Sequence, residues 1–157
     1  MQKRLIWSLA FGLLAALIAL GVAGALLWQN TSGWKLLIPC SILAAFLLAS
    51  LGAWLLLTLA RPITVWKGVL VGLLVGLLAH PTTWYLAIIY LYLKGSESSL
   101  GESMLNPIQA LWGSLVYSIY SLALVGWVTL PLSMVCSGGL AYYYPKRILM
   151  TESEKDG

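Results

Sequence analysis

The only histidine of this 157-residue chain lies inside an apolar run, "GVLVGLLVGLLAHPTTWYL" (residues 68–86), with a proline directly after it. An imidazole can hold a metal, carry a proton, or donate and accept hydrogen bonds. Ionisable groups inside a membrane span are functional candidates by default. Pro81 has no N–H for the carbonyl of Leu77 and disfavours helical geometry at His80. The pattern therefore predicts an interrupted helix with an imidazole at the break. Thr82 and Thr83 can partly satisfy the backbone groups released there. Counting ~1.5 Å per residue puts His80 about 18 Å beyond Gly68, just past mid-depth. The same count puts Pro131 about 22 Å from Lys146, where it frees the carbonyl of Trp127. Two consecutive helices, both expected to be kinked, thus carry prolines at similar depth. Paired breaks of this kind can line a midplane site for a solute or proton. The plainer reading is that a neutral His80 donates a hydrogen bond to a carbonyl freed by either proline and fastens the bundle. Contact with a partner protein is a third.

Other chemistries lack their residues. No Asp or Glu falls in any long apolar run, so a carboxylate-coupled transporter would be missing its coupling group. No CxxC is present for thiol redox work, and one histidine without a second strong ligand makes a poor metal site. No serine–histidine or cysteine–histidine motif stands out locally. The reading assigns no catalytic residue, no metal and no cofactor, and an enzyme is not expected. Cys40 and Cys136 fall at different depths, too far apart for the roughly 7 Å that a disulfide allows.

The elements that must position His80 follow from composition. Hydrophobic residues make up 61% of the chain and charged residues 9%, with a mean hydropathy of +0.91. A soluble domain carries about 25% charged residues. No charge occurs between Arg4 and Lys35, Lys35 and Arg61, Lys67 and Lys94, or Glu102 and Lys146. Each gap exceeds the ~20 residues that a helix needs to cross a bilayer. The expectation is an all-α integral membrane protein, a four-transmembrane-helix bundle forming one domain. Its spans fall near residues 5–28, 36–60, 68–93 and within 107–144, and residues 145–157 form a mobile tail.

The net charge of +4 does not point to nucleic acid. With four spans, Lys3, Arg4, Arg61, Lys67, Lys146, Arg147 and Lys155 share one side, while Lys35 and Lys94 face the other. That is the positive-inside pattern, with both termini cytoplasmic. "MQKR" resembles the start of a signal peptide, but the run behind it is longer than the ~7–15 residues of an h-region. Compactness and short loops suggest a bacterial cytoplasmic (inner) membrane.

Gly68, Gly72, Gly76 and His80 recur every four residues, a double GxxxG row that permits close approach of a second backbone. Ser8, Gly12 and Ala16 on the first helix, and Ser41, Ala45, Ala49 and Ala53 on the second, form weaker small-residue stripes. In the fourth helix Gln109, Gly113, Ser114, Tyr117, Ser118 and Ser121 share one face. Leu111, Trp112, Leu115, Val116 and Ile119 share the other, which should meet lipid. "NPIQ" predicts its start: Asn106 as cap, Pro107 at the first position, and Gln109 closing a capping box. At 38 residues, about 57 Å, 107–144 is too long for one span, so residues 107–117 are expected along or beyond the interface. A fifth span over 126–144 would place Lys146 and Arg147 on the wrong side. Asn30-Thr31-Ser32 reads better as turn residues, with Ser32 capping the second helix, than as a glycosylation sequon.

The candidate functional or packing residues are Gly68, Gly72, Gly76, His80, Pro81 and Pro131. The expected function is that of a non-catalytic accessory or interaction subunit, with the lipid bilayer and a membrane-protein partner or homo-oligomer as surroundings. The alternative is a small oligomeric transporter or channel whose path passes the level of His80, Pro81 and Pro131.

Overall fold

The computed structural model describes the backbone of residues 2–27, 33–59, 62–95 and 105–153, and side chains within 4–25, 35–59, 62–95 and 105–144. The described residues form α1 (Gln2–Leu27), a 3₁₀ turn (Gly33–Leu36), α2 (Leu37–Leu59), α3 (Val65–Leu93), α4 (Pro107–Ser121), a π-helical turn (Leu122–Gly126) and α5 (Trp127–Ser153). Four stretches are long and apolar enough to cross a membrane: Arg4–Ala25, Leu37–Leu59, Val65–Leu93 and Pro107–Tyr144. The described residues are helical without strands, and the four long apolar helices that the charge gaps imply are present. The turn at Asn30-Thr31-Ser32 and most of the third loop lie outside the described residues.

Three expectations need correction. First, α3 is not interrupted at His80 but continues through Pro81 to Leu93. One proline removes one backbone donor, and the flanking turns carry the helix across that gap. Second, the fourth helix leaves α geometry at Leu122–Gly126, well before Pro131, and α5 continues through that proline. Third, α5 extends to Ser153 rather than ending at Tyr144.

Local signals explain the helix starts. Asn106 accepts from the amides of Ile108 (3.1 Å) and Gln109 (2.9 Å). The Asn106 amide donates back to Gln109 Oε1 at 3.2 Å. This is the capping box expected from "NPIQ". Thr64 caps α3 through a bond from the Lys67 amide at 3.4 Å.

The helices pack in chain order. α1 lies on α2, α2 on α3, and α3 on both α4 and α5, whereas α1 meets the fourth rod, formed by α4, the π turn and α5, only sparsely. One such meeting is an edge-to-face contact of Trp7 with Tyr144, ring centroids 6.0 Å apart. Close approach depends on glycine in three places. A Cβ on Gly12 would strike Ser50 Oγ and lie 2.9 Å from the Phe46 carbonyl oxygen, which fixes the α1–α2 seam. One on Gly52 would lie 2.6 Å from Val75 on α3. The row on α3 faces α5: a Cβ on Gly68 would lie 2.5 Å from the Ser137 carbonyl oxygen, and one on Gly76 2.6 Å from Ser133 Oγ. On Gly72 it would overlap the Ser133 carbonyl oxygen. The face of α4 centred on Ala110, Ser114 and Ser118 is buried, and Leu111, Trp112, Leu115, Val116 and Ile119 are exposed. α4 therefore lies along α3 with its apolar face outward, rather than standing apart from the bundle.

Candidate functional site

His80 continues the glycine row and is only 8% exposed. Its ring reaches the fourth rod at two points. Nδ1 lies 2.6 Å from Ser121 Oγ, and Nε2 lies 3.0 Å from Thr129 Oγ1. The Thr129 hydroxyl also donates to the Val125 carbonyl at 3.4 Å. A neutral imidazole has one donor and one acceptor nitrogen, so one of the two hydroxyls donates to the ring and the other accepts from it. In the tautomer that leaves the Thr129 proton on Val125, Thr129 accepts from Nε2–H and Ser121 donates to Nδ1. The circuit runs from Ser121 through His80 and Thr129 to a carbonyl inside the π turn.

The π turn makes this possible. At ~3.6 residues per turn, residues eight apart overshoot two α-turns and point in different directions. Bonding i→i+5 widens one turn by about a residue, which brings Ser121 and Thr129 onto the same face. Side chains also satisfy carbonyls within the turn: the indole Nε1 of Trp127 donates to Leu124 at 2.9 Å, alongside Thr129 on Val125. Above the circuit, Trp84 stacks on Tyr117 with centroids 4.9 Å apart and planes 25° from parallel.

The histidine thus bonds to two hydroxyls and not to a carbonyl freed by a proline. Thr83 donates to the carbonyl of Ala79 at 2.8 Å. Pro131 is exposed and borders a shallow groove with Val65, Val69, Met134 and Val135. Of the six candidate residues, Gly68, Gly72, Gly76 and His80 are buried along one row of α3, while Pro81 is half-buried and Pro131 turned outward. No sequence pattern singles out Thr129, and Ser121 stands out only as one member of a polar face.

Beside the circuit is a cavity of about 540 Å³. α1 lines it with Phe11, Leu14, Ala15, Ile18, Ala19, Val22 and Ala23, spaced by threes and fours along one face. α2 supplies Leu37, Ser41, Ala45 and Ala49; most of the small-residue stripe on this helix therefore floors a space as well as packing. The opposite wall carries Gly76, Ala79, His80 and Thr83 of α3, with Ser121, Thr129, Ser133 and Ser137 of the fourth rod. Both walls are largely apolar, for Val75, Leu124, Val125 and Leu132 also face the space, and the hydroxyls are scattered among them. The free thiol of Cys136 borders the same space. Pro81 and Pro131 are not among its lining residues. Among the described residues no group of three or more His, Cys, Asp or Glu is placed to hold a metal ion.

No family model, no curated protein and no solved structure matches the chain.

Proposed function

We propose that the chain is a small multi-pass protein of a bacterial inner membrane, with both termini cytoplasmic, that acts as a non-catalytic accessory or interaction subunit through helix packing. The observation that carries this is where its distinctive residues are used. Both ring nitrogens of His80 are engaged by hydroxyls of the same chain. The glycine row is occupied by its own α5. What remains for lipid or for another protein is the outward apolar surface that every helix presents, on α4 with Trp112 72% and Ile119 68% exposed. Purification in mild detergent, with mass identification of co-eluting chains, should yield a stoichiometric membrane partner. A lone monomer would overturn the proposal.

The cavity beside His80 favours one second reading, a small oligomeric transporter or channel. Its path would run past His80 and away from both prolines, and the same purification would then return a homo-oligomer.

The orientation rests on the basic residues gathered on one side. Cysteines placed at Ser96 or Ser99, in a background lacking Cys40 and Cys136, should react with an impermeant thiol reagent in intact cells. One at Ser153 should react only after permeabilisation. The reverse pattern would invert the topology.

A further inference from the structure

We propose that the cavity between α1 and the α3–α5 wall binds one neutral hydrocarbon chain carrying a hydroxyl group. This goes beyond the accessory role and does not depend on finding a partner. Shape is the first argument. The lining runs from Phe11 to Ala23 on α1 and from Leu37 to Ala49 on α2, about 18 Å along each axis at ~1.5 Å per residue. A volume of about 540 Å³ drawn out along that length suits one extended chain. The volume lies within the roughly 300–1,000 Å³ of small-molecule pockets.

Charge is the second argument. No Lys, Arg, Asp or Glu lines the space, so a phosphate or carboxylate group would enter unpaired at high cost. Hydrogen-bond polarity is the third. Ser41, Thr83 and Ser133 each donate to a carbonyl of their own helix, at 2.8 Å in each case. Their protons are committed and their lone pairs are not. These acceptors, on α2, α3 and α5, lie in an otherwise largely apolar lining together with the hydroxyls of Tyr117, Tyr120 and Ser137. A hydroxyl both donates and accepts, so an alcohol with an extended tail suits such a lining.

The test uses the full chain in phosphatidylcholine nanodiscs, with 1-dodecanol, dodecane and, at pH 9, dodecanoate as probes counted by native mass spectrometry. Dodecanol should bind saturably, one per chain, and about tenfold more tightly than dodecane, the worth of one net hydrogen bond. Dodecanoate should bind more weakly than dodecanol. Ala45→Phe, which fills the cavity floor, should abolish this binding with no loss of thermal stability. Leu74→Phe, on an exposed face of α3, should leave binding unchanged. Equal uptake of all three probes, or dodecanol binding that survives in a folded Ala45→Phe protein, would overturn the proposal. Should that variant fail to fold, Ala19→Phe fills the same space from α1 and is read in the same way.

Discussion

The two halves of α3 hold the fourth rod by different means. At Gly68 and Gly72 the contact is glycine against the α5 backbone, at Ser133, Met134 and Ser137, and at Gly76 it is glycine against the side chains of Leu130 and Ser133. From His80 to Ile88 it runs through side chains: the imidazole on Ser121 and Thr129, Trp84 on Tyr117, and Ile88 against Gly113. The change falls at the π turn. Where two backbones can touch, dispersion and close packing suffice in a membrane that offers no hydrophobic force between helices. Where an extra residue widens one helix, the backbones no longer match, and rings and hydroxyls fill the gap. The glycine half should therefore tolerate no added volume, and the ring half should tolerate substitution that preserves its bonds.

The largest effect should come from Gly72. Gly72→Leu drives a side chain into the Ser133 carbonyl and Met134 Cα, an overpacking that costs about 3 kcal/mol or more. Loss of the folded protein in a detergent stability assay is expected. Gly139→Ala in the facing helix is the matched control, since a Cβ there meets nothing within 4 Å, and it should stay within about 0.5 kcal/mol of the parent. Equal tolerance at both positions would show that the row on α3 does not hold α5.

What the sequence disclosed depends on whether a feature is one-dimensional. The spans are legible because charge gaps count residues, and the capping box because its partners sit three apart. The place of His80 midway along α3 was legible too. Direction around the fourth helix was not. Counting at a uniform ~3.6 residues per turn separates Ser121 from Thr129, and only the π turn realigns them. Pro131 shows the same failure in reverse. Its depth resembles that of His80, yet it borders Val65 and Val69 on another side. The cavity was hidden for a different reason: Ser41, Ala45 and Ala49 have the spacing of a packing stripe, and small residues make contact or leave space according to what faces them.

The next effect down is at His80. His80→Ala removes two interhelical hydrogen bonds, each worth about 1 kcal/mol in membrane bundles, and leaves a void beside the existing cavity. A loss of about 2–3 kcal/mol is expected. His80→Gln keeps a donor and an acceptor and should recover at least half of that loss. The direction of the circuit can be read separately. ¹⁵N NMR of a histidine-labelled sample in nanodiscs should show a neutral ring protonated at Nε2, with both nitrogens hydrogen-bonded. Protonation at Nδ1 alone would reverse the chain and detach Thr129 from Val125. A doubly protonated ring would move the balance toward the conducting reading.

The smallest effect, and the one that separates the two halves most sharply, concerns Trp84 and Tyr117. Their stack lies beyond the circuit, and Tyr117 is 46% exposed. An aromatic pair adds about 0.5–1.5 kcal/mol over the area it buries, and partial exposure places this one near the lower end. Trp84→Leu and Tyr117→Leu should each cost about 1 kcal/mol, with a coupling of about 0.5 kcal/mol in the double variant, because the second change removes a partner already lost. No comparable coupling should link Trp84 to Gly72, which lies three turns away on the same helix. If Trp84 and Gly72 couple as strongly as Trp84 and Tyr117, α3 grips the fourth rod as one continuous seam, and the division at the π turn has no energetic meaning.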